Sequence, residues 1–478
     1  MSAKEFPAAP AGLHFVGVGG IGMSGLAQLF AWLGYAVSGS DRALESPENA
    51  QLFAQLKAQG VKLFPQDGSY VRGGSPALLV YSTAIEEDNP DFAAGATLPR
   101  WHRSETIAAA LALMAGKTSI AVTGSCGKTT VSAWLADALA AAGAPPIALL
   151  GGMAKAFKDG DRPGNFAPGA ADLFVFEADE SDKSLLNFSP DFSLILNIGT
   201  DHYSKEELVA VFEQFLRNTR KGAVVELSTL AMLAPESHSH LEVSTFSLDS
   251  SAEADYVLSR YRVVDGAAWA TLRGPDGELD LKLPAPGVHN AANAMAVLAA
   301  ARRFVPDTAR LAGAVEGFSG TARRFDFIGK TAAGAVVYDD YAHNVEKIAS
   351  CLKAAAEIRP GRTFAVFQPH GFAPLRFMRG ELLNALSDAL GPVDQFIFLP
   401  VYYAGGTSSF TPTSTEVCAE YAARRPGSFL CFDTRAEAAA HLLASAGVGD
   451  LVVIMGARDN SLPLWAAELV LHSNPLGR

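Results

Sequence analysis

Thr123-Gly124-Ser125-Cys126-Gly127-Lys128-Thr129-Thr130 is the stretch whose reading decides the fold. An apolar run at residues 120–122 leads into it, and an alanine-rich segment with helical spacing follows at 131–142. Strand, glycine loop and helix in that order predict a phosphate-binding loop. Backbone N–H groups of Gly124, Ser125, Cys126 and Gly127 and the helix N-terminus suit phosphate oxygens. The Lys128 ammonium reaches terminal phosphates, and the Thr129 hydroxyl, with Thr130 beside it, suits Mg²⁺. ATP is the expected nucleotide. The loop is a short variant, because Val122 stands where the first glycine of the usual pattern falls. A structural turn with a chance Gly-Lys-Thr is the alternative, and the flanking strand and helix weigh against it.

Upstream, an apolar run at 13–16 meets Gly17, Gly19, Gly20 and Gly22, and helical spacing follows at 23–32. Further strands are expected at 36–40, ending at Asp41, and at 77–81, ending at Ser82 and Thr83. Gly17-x-Gly19-x-x-Gly22 with Asp41 beyond it satisfies the dinucleotide fingerprint. Three readings stay open for it: a nicotinamide cofactor, the diphosphate of a UDP-sugar, or a structural glycine turn. Residues 107–115 read as helical and buried.

Downstream, strands are expected at 173–176 and 192–198, each stopping at polar residues. Glu177, Asp179, Glu180 and Asp182 follow the first, and Asp201 and His202 the second. Carboxylates at a strand end opposite a phosphate loop suit Mg²⁺, which takes one or two of them and keeps most of its waters. A solvated acidic loop is the alternative. His202 by itself reads as a structural histidine, and only its neighbours make it a candidate. Residues 256–283 alternate around Gly266 and Gly274 as antiparallel hairpins do, and a helix at 290–304 closes that region. A third α/β unit starts near Asp326, with strands at 335–338, 363–367, 395–399 and 451–455 and a helix at 345–356. The fold class is α/β in three domains, at 1–110, 111–325 and 326–478.

A chain of 478 residues needs several cores. Its net charge of -12, without a dense Lys or Arg run, speaks against nucleic acid. Cys126, Cys351, Cys418 and Cys431 show neither zinc nor C-x-x-C spacing, which suits a reducing cytoplasm. Residues 1–10 lack the features of a signal peptide, and no apolar run reaches membrane-span length. A soluble cytoplasmic enzyme, monomer or homodimer, with no membrane partner is expected.

Taken in order, the motifs resemble the Mur ligases. They are Val18-Gly-Gly-Ile-Gly-Met-Ser-Gly25, Ser38-Gly-Ser-Asp41, Ser82-Thr-Ala-Ile85, the phosphate loop, Glu177-Ala-Asp-Glu-Ser-Asp182, Asp201-His202, His289-Asn-Ala-Ala-Asn-Ala294, Arg323-Arg-Phe325, Asp339-Asp-Tyr-Ala-His343 and Phe367-Gln-Pro-His370. The alanine-adding branch of the family is the most similar. The resemblance implies a Rossmann-like UDP-binding domain, a central ATPase-like domain with a small antiparallel sheet, and a Rossmann-like C-terminal domain. It implies a UDP-sugar site at Gly19, Gly20, Gly22, Ser24, Asp41, Ser82, Thr83 and Ala84. Lys128 and Thr129 match ATP and Mg²⁺ contacts, and Glu180 and His202 match groups that organise a metal. His289, Asn290 and Asn293 fall where relatives meet adenine, and Arg324 where an arginine meets the γ-phosphate. Asp340 and His343 fall where the third domain meets the nucleotide and the amino acid, with His370 near the acceptor.

The implied reaction is ATP-dependent joining of UDP-N-acetylmuramate to a small amino acid, L-alanine, through an acyl phosphate, with ATP and Mg²⁺ required. Three positions depart from the alanine-adding pattern: Cys126 and Asn344 replace histidines, and Gly371 replaces an arginine. Arg376 or Arg379 is the expected substitute for that last cation. Alternatives are a recycling ligase that attaches a tripeptide, a catalytically weakened nucleotide-binding regulator and a nicotinamide oxidoreductase. The last leaves the phosphate loop and the acidic cluster without a role.

Overall fold

Short strands of three to six residues build the first sheet. Its order is Lys62–Pro65, Ala36–Asp41, Gly12–Val16, Leu78–Tyr81, Arg100–His102, and every pairing is parallel. Gly12–Val16 is central, with later strands on both sides, so the turn after it opens where the winding reverses, the usual ligand position of such sheets.

The computed structural model describes residues 5–199, 203–403 and 409–471. A second sheet carries ten strands among these. Its order is Gly277–Lys282, Ala267–Gly274, Tyr256–Val264, Glu242–Ser247, Gly222–Glu226, Phe192–Ile195, Thr118–Thr123, Leu173–Glu177, Ile147–Leu149, Phe166–Ala167. Thr118–Thr123 pairs in parallel with Phe192–Ile195 on one side and Leu173–Glu177 on the other. The phosphate loop thus also leaves a central strand at a reversal of winding. The third sheet runs Asp326–Lys330, Val336–Asp340, Leu451–Gly456, Thr363–Gln368, Gln395–Phe398, Phe429–Cys431, with only its first strand antiparallel.

The three sheets correspond to the expected α/β domains, but the chain packs as two units. One is Met1–Tyr261, Ala270–Pro284 and Ala291–Thr321, and the other is Arg262–Trp269, Ala285–Asn290 and Ala322–Arg478. The first two sheets share a unit because a continuous core joins Phe15 and Phe30 to Phe174, Phe176, Phe212 and Phe215. Each fully buried aromatic of this kind contributes roughly 1.5–3 kcal/mol. In the second unit, alternate residues of each strand enter different cores. Ala365, Phe367, Val453 and Met455 lie on one face, and Phe364, Val366, Val452 and Ile454 on the other. That period of two explains why those strands are apolar throughout.

Several boundaries differ from the sequence expectation. The strand expected at 192–198 ends at Ile195, because residues 196–199 turn to bond the phosphate loop. The helix expected from 131 starts at Lys128. The segment 107–115 is helical, as Arg103–Leu113, but it is only partly buried: Ile107 and Ala110 are inside while Leu113 is 50% exposed. The short strands Lys62–Pro65, Ile147–Leu149, Gly222–Glu226 and Glu242–Ser247 were not expected, being too brief or too polar to show a period.

Asn165, fully buried, ties the first sheet's helix Ile21–Trp32 to the second sheet's edge. Its amide donates to the Ile21 carbonyl at 2.7 Å and to Ser24 Oγ at 2.8 Å, and accepts from Gln28 Nε2 at 3.0 Å. Asn165→Ala removes three buried hydrogen bonds and leaves Ser24 Oγ and Gln28 Nε2 with only their bonds to the Ile21 and Ser24 carbonyls, at a cost of about 1–3 kcal/mol. Urea denaturation should show a lower midpoint at an unchanged slope. An unchanged midpoint would contradict the tie.

Candidate active site

The phosphate loop is shaped by two glycines and one asparagine. Gly124 and Gly127 have φ of 137° and 90°, a region that side-chain-bearing residues avoid. A Cβ on Gly127 would stand 3.1 Å from Asn293 Oδ1, so Asn293 lies directly against the loop. Asn197 clamps the opposite side: its Oδ1 accepts from the Cys126 N–H at 2.8 Å, and its Nδ2 donates to the Cys126 carbonyl at 3.0 Å. Ser125 Oγ accepts from the Gly199 N–H at 2.8 Å. Thr130 continues the first turn of the helix.

Lys128 opens the helix Lys128–Ala141, and its ammonium folds back over the loop. It donates to the Gly124 carbonyl at 2.8 Å and to Glu180 Oε2 at 2.6 Å, with Asp179 Oδ1 at 3.8 Å. Burial opposes its charge, but Glu180, Asp179 and Glu177 outweigh burial and hold its pKa above the usual lysine value. Glu180 shifts the other way: burial raises its pKa more than Lys128 lowers it. One ammonium shared among three carboxylates cannot compensate each of them fully. Asp179 stays below the usual carboxylate range in spite of burial, held there by Lys128, the Ser181 N–H and Arg103. Thr129 Oγ1 lies 3.3 Å from Glu177 Oε1, and the other Glu177 oxygen accepts from the Gly151 N–H at 3.2 Å. Asp201 and His202 lie outside the described residues.

At the glycine turn most donors are already engaged. The N–H groups of Gly17 and Val18 go to the Ser40 carbonyl, that of Gly19 to Asp41 Oδ2 at 2.7 Å, and that of Gly20 to the Gly17 carbonyl. Asp41 also accepts from the Ala43 N–H at 2.8 Å, so its carboxylate closes the turn and both of its oxygens are used there. Ser24 is fully buried, with its hydroxyl donating to the Ile21 carbonyl and accepting from Asn165. What remains for an anion is the first helical turn at Ile21, Gly22 and Met23, whose N–H groups have no partner within the helix. Ser82, Thr83 and Ala84 form a turn just beyond Leu78–Tyr81, closed by the Ile85 N–H on the Ser82 carbonyl at 3.1 Å, with Thr83 and Ala84 exposed.

Arg103 was missed in the sequence. Its guanidinium lies so close to Gly22 that a Cβ there would meet Nη1 at 2.5 Å, and it stands 3.7 Å from Asp179 Oδ2. One cation therefore links the glycine-turn helix to the carboxylates beside Lys128. A lone arginine at a helix start carries no sequence signal, whereas Asn197 had one, a polar residue ending an apolar run.

In the second unit the polar residues gather at the C-terminal ends of Val336–Asp340, Thr363–Gln368 and Leu451–Gly456. Arg324 lies over the Tyr341 ring, 5.3 Å from its centroid. Asp340 accepts from the N–H groups of Phe325 at 2.6 Å and Ala342 at 2.7 Å, and burial raises its pKa in spite of Arg324. His343 donates from Nδ1 to the Tyr341 carbonyl at 2.8 Å and stacks edge-on with His370, 5.0 Å away. His289 and Asn290 belong to this unit as well: burial lowers the His289 pKa, and Asn290 Nδ2 donates to the Pro286 carbonyl at 2.7 Å. Arg376 is committed to its own surroundings, donating from Nη2 to Ser409 Oγ at 2.6 Å and from Nε to the Thr411 carbonyl at 3.1 Å. Arg379 lies one helical turn further on and is exposed. Of the two expected substitutes for the missing arginine, Arg379 is the less encumbered.

Burial, with Lys347 near both and Arg458 near His370, pushes the pKa of both His343 and His370 down to about 4. Both are neutral at pH 7. Unfolded imidazoles take up protons as pH falls through about 6.5, and the folded ones do so only near 4. Stability from this source is therefore complete above about pH 6.5 and lost on acidification toward about pH 4, by at most roughly 3 kcal/mol for each histidine. A His343→Gln/His370→Gln variant should show a flatter stability profile between pH 6.5 and about 4.5. An unchanged slope would contradict the assignment.

Family models match most of the chain. Residues 12–118 match the Mur ligase family catalytic domain, 122–301 the Mur ligase middle domain, and 323–458 the Mur ligase glutamate ligase domain. The chain is 34% identical to the UDP-N-acetylmuramate–L-alanine ligase of Synechococcus sp. (strain RCC307), over 95% of this chain and 94% of that one. It is 32% identical to the enzyme of the same name from Caulobacter sp. (strain K31), over 94% and 93%. Among solved structures it is similar to the UDP-N-acetylmuramate–alanine ligase of Thermotoga maritima, with a TM-score of 0.78 and 27% identity over 96% of this chain and 98% of that one. The fold is shared with a murein peptide ligase of Psychrobacter arcticus, with a TM-score of 0.68 and 20% identity over 98% and 100%. The chain belongs to the Mur ligase family.

Proposed function

We propose that this chain is an ATP-dependent ligase that joins the carboxylate of UDP-N-acetylmuramate to L-alanine in peptidoglycan precursor synthesis. The observation that carries the reading is the phosphate loop with Lys128 braced on Glu180 at 2.6 Å, in a chain similar along nearly its whole length to ligases named for that reaction. A carboxylate is a poor electrophile. One of its oxygens attacks the γ-phosphorus of ATP, ADP leaves, and an acyl phosphate results. The amine nitrogen then attacks the carbonyl carbon, phosphate departs with the C–O bond electrons, and the amine loses a proton. No enzyme nucleophile is required.

The residues divide the work by charge. Loop N–H groups and Lys128 hold phosphate oxygens, which is mainly positioning and electrostatic stabilisation. Arg103 stands where it supports an anionic substrate entering over the helix that starts at Ile21. Arg324 supplies charge to the transferring group. His343, neutral and protonated on Nδ1, leaves Nε2 as an acceptor for the incoming amine. Mg²⁺ fits the donor set of Thr129, Glu177 and Glu180, a hydroxyl and carboxylates beside a phosphate loop, with His202 assigned to the same role by resemblance. Bound there, it would neutralise phosphate charge. The cytoplasm, where ATP is available, is the proposed location. Among the described residues no helix is long and apolar enough to cross a membrane.

The recycling ligase, which takes a tripeptide, is the second reading, because the arginine expected at Gly371 is absent and Arg376 is anchored elsewhere. Phosphate release with UDP-N-acetylmuramate and a panel of acceptors separates the two. L-alanine, glycine and serine should support turnover well above the tripeptide. Discrimination among the three should be modest, since one methyl group in a pocket is worth only about 1–3 kcal/mol. Strong preference for the tripeptide would replace this reading, and turnover without any acceptor would exclude ligation.

A further inference from the structure

Asp339 is fully buried at the end of Val336–Asp340, and neither of its carboxylate oxygens has a hydrogen-bond partner among the described residues. Its register partners on the two adjacent strands are Ile454, which is apolar, and Asp326, another acid, so neither offers it a donor from its side chain. A buried carboxylate left this way is costly, and a fold retains one only where something depends on it. The opposite charge at hand is Arg323, whose Nε stands 3.3 Å from Asp339 Oδ2 without the alignment of a hydrogen bond. The rest of the Arg323 guanidinium is fixed: Nη2 donates to the Gly456 carbonyl at 2.7 Å and Nη1 to the Asp459 carbonyl at 3.3 Å.

Arg323 is itself strained. It has φ of 60° and Phe325 has φ of 46°, both left-handed and neither a glycine. Such residues persist only where their surroundings over-determine them. Here the Arg323 carbonyl accepts from the Tyr341 N–H at 2.8 Å, and the Phe325 N–H donates to Asp340 Oδ2 at 2.6 Å. Arg324 sits between these two strained residues, so its direction is set by them.

We propose that Asp339 is a positioning residue: through Arg323 it holds the strained segment 323–325 so that Arg324 keeps the orientation its phosphate role requires. The inference rests on the reading of Arg324 as a phosphate-directed cation. The groups facing Asp339 are Arg323 and Asp326, its strand neighbour Asp340, and the Cys351 thiol of helix Val345–Ile358, itself pushed well up by burial. Burial, with Asp340 and Asp326 adding to it and Arg323 opposing, raises Asp339 to about 7. Its hold on Arg323 is full when ionised, and weakens as pH falls through neutrality. Because the folded pKa lies above the unfolded one, ionised Asp339 opposes folding above pH 7.

The test is Asp339→Asn in the full chain, with kcat, KM for UDP-N-acetylmuramate and melting temperature measured from pH 6 to 9. The expected result is kcat lowered about tenfold at pH 8, an unchanged UDP-N-acetylmuramate KM, and loss of the parent's acid limb near pH 7. The melting temperature at pH 8 should be no lower than the parent's, since the buried charge is gone. Parental kcat with the acid limb intact overturns the proposal. So does a fall in kcat accompanied by a lower melting temperature and a raised KM, which is general damage. Should Asp339→Asn not fold, Arg323→Lys decides: lowered kcat at unchanged UDP-N-acetylmuramate KM supports the proposal, and parental kcat overturns it. Arg324→Ala separates the two layers. If it leaves kcat unchanged, the reading of Arg324 fails and the proposal with it. If it lowers kcat while Asp339→Asn does not, only the proposal fails.

Discussion

One ammonium group organises the first unit. Lys128 is held between the Gly124 carbonyl and the Glu180 carboxylate, in a loop that Asn197 and Ser125 fasten to residues 196–199. Three carboxylates raise its pKa against the cost of burial, so it stays charged where a phosphate would meet it. The same carboxylates need it, because burial already pushes Glu180 toward protonation. Lysine and acidic cluster are interdependent, and the strands Thr118–Thr123 and Leu173–Glu177, paired side by side, bring them together.

Each sheet repeats that logic at a different point. The first opens its glycine turn beside a central strand, the second its phosphate loop, and the third gathers Asp340, Gln368 and Gly456 at adjoining strand ends. Parallel strands covered on both faces leave only their ends for polar work, so chemistry collects there. The polar side chains that do lie inside hold elements together, as Asn165 does, or hold a strained segment, as Asp339 does.

The sequence carried the frame well. A glycine loop between an apolar strand and a helix signals a phosphate site by local chemistry alone, and the long apolar strands of the third sheet show their identity by length and composition. Elements of three or four residues, such as Ile147–Leu149, are too short for any period to appear. Site residues followed the same division. Lys128, Thr129 and Glu180 belong to contiguous motifs and could be read, and the contact between Asn293 and the loop appears only when the fold brings helix Val288–Ala301 against the loop. Motifs also left spatial detail unread: Ser24 and Asp41, expected at the UDP-sugar site, bond within the fold as well, Ser24 to Ile21 and Asn165 and Asp41 across the glycine turn. Arg103 had no motif at all, and its importance comes from Gly22 and Asp179 meeting it in space.

The central claim is that ATP and the UDP-sugar occupy separate sites and that Lys128 serves only the first. Isothermal titration of the Lys128→Ala variant tests it most directly. The account predicts a folded protein that still binds UDP-N-acetylmuramate, because Lys128 meets the glycine-turn helix indirectly, through Asp179 and Arg103. It also predicts that the variant gives no heat with ATP and does not ligate. Loss of UDP-N-acetylmuramate binding in the folded variant, or retained ligation, would contradict it.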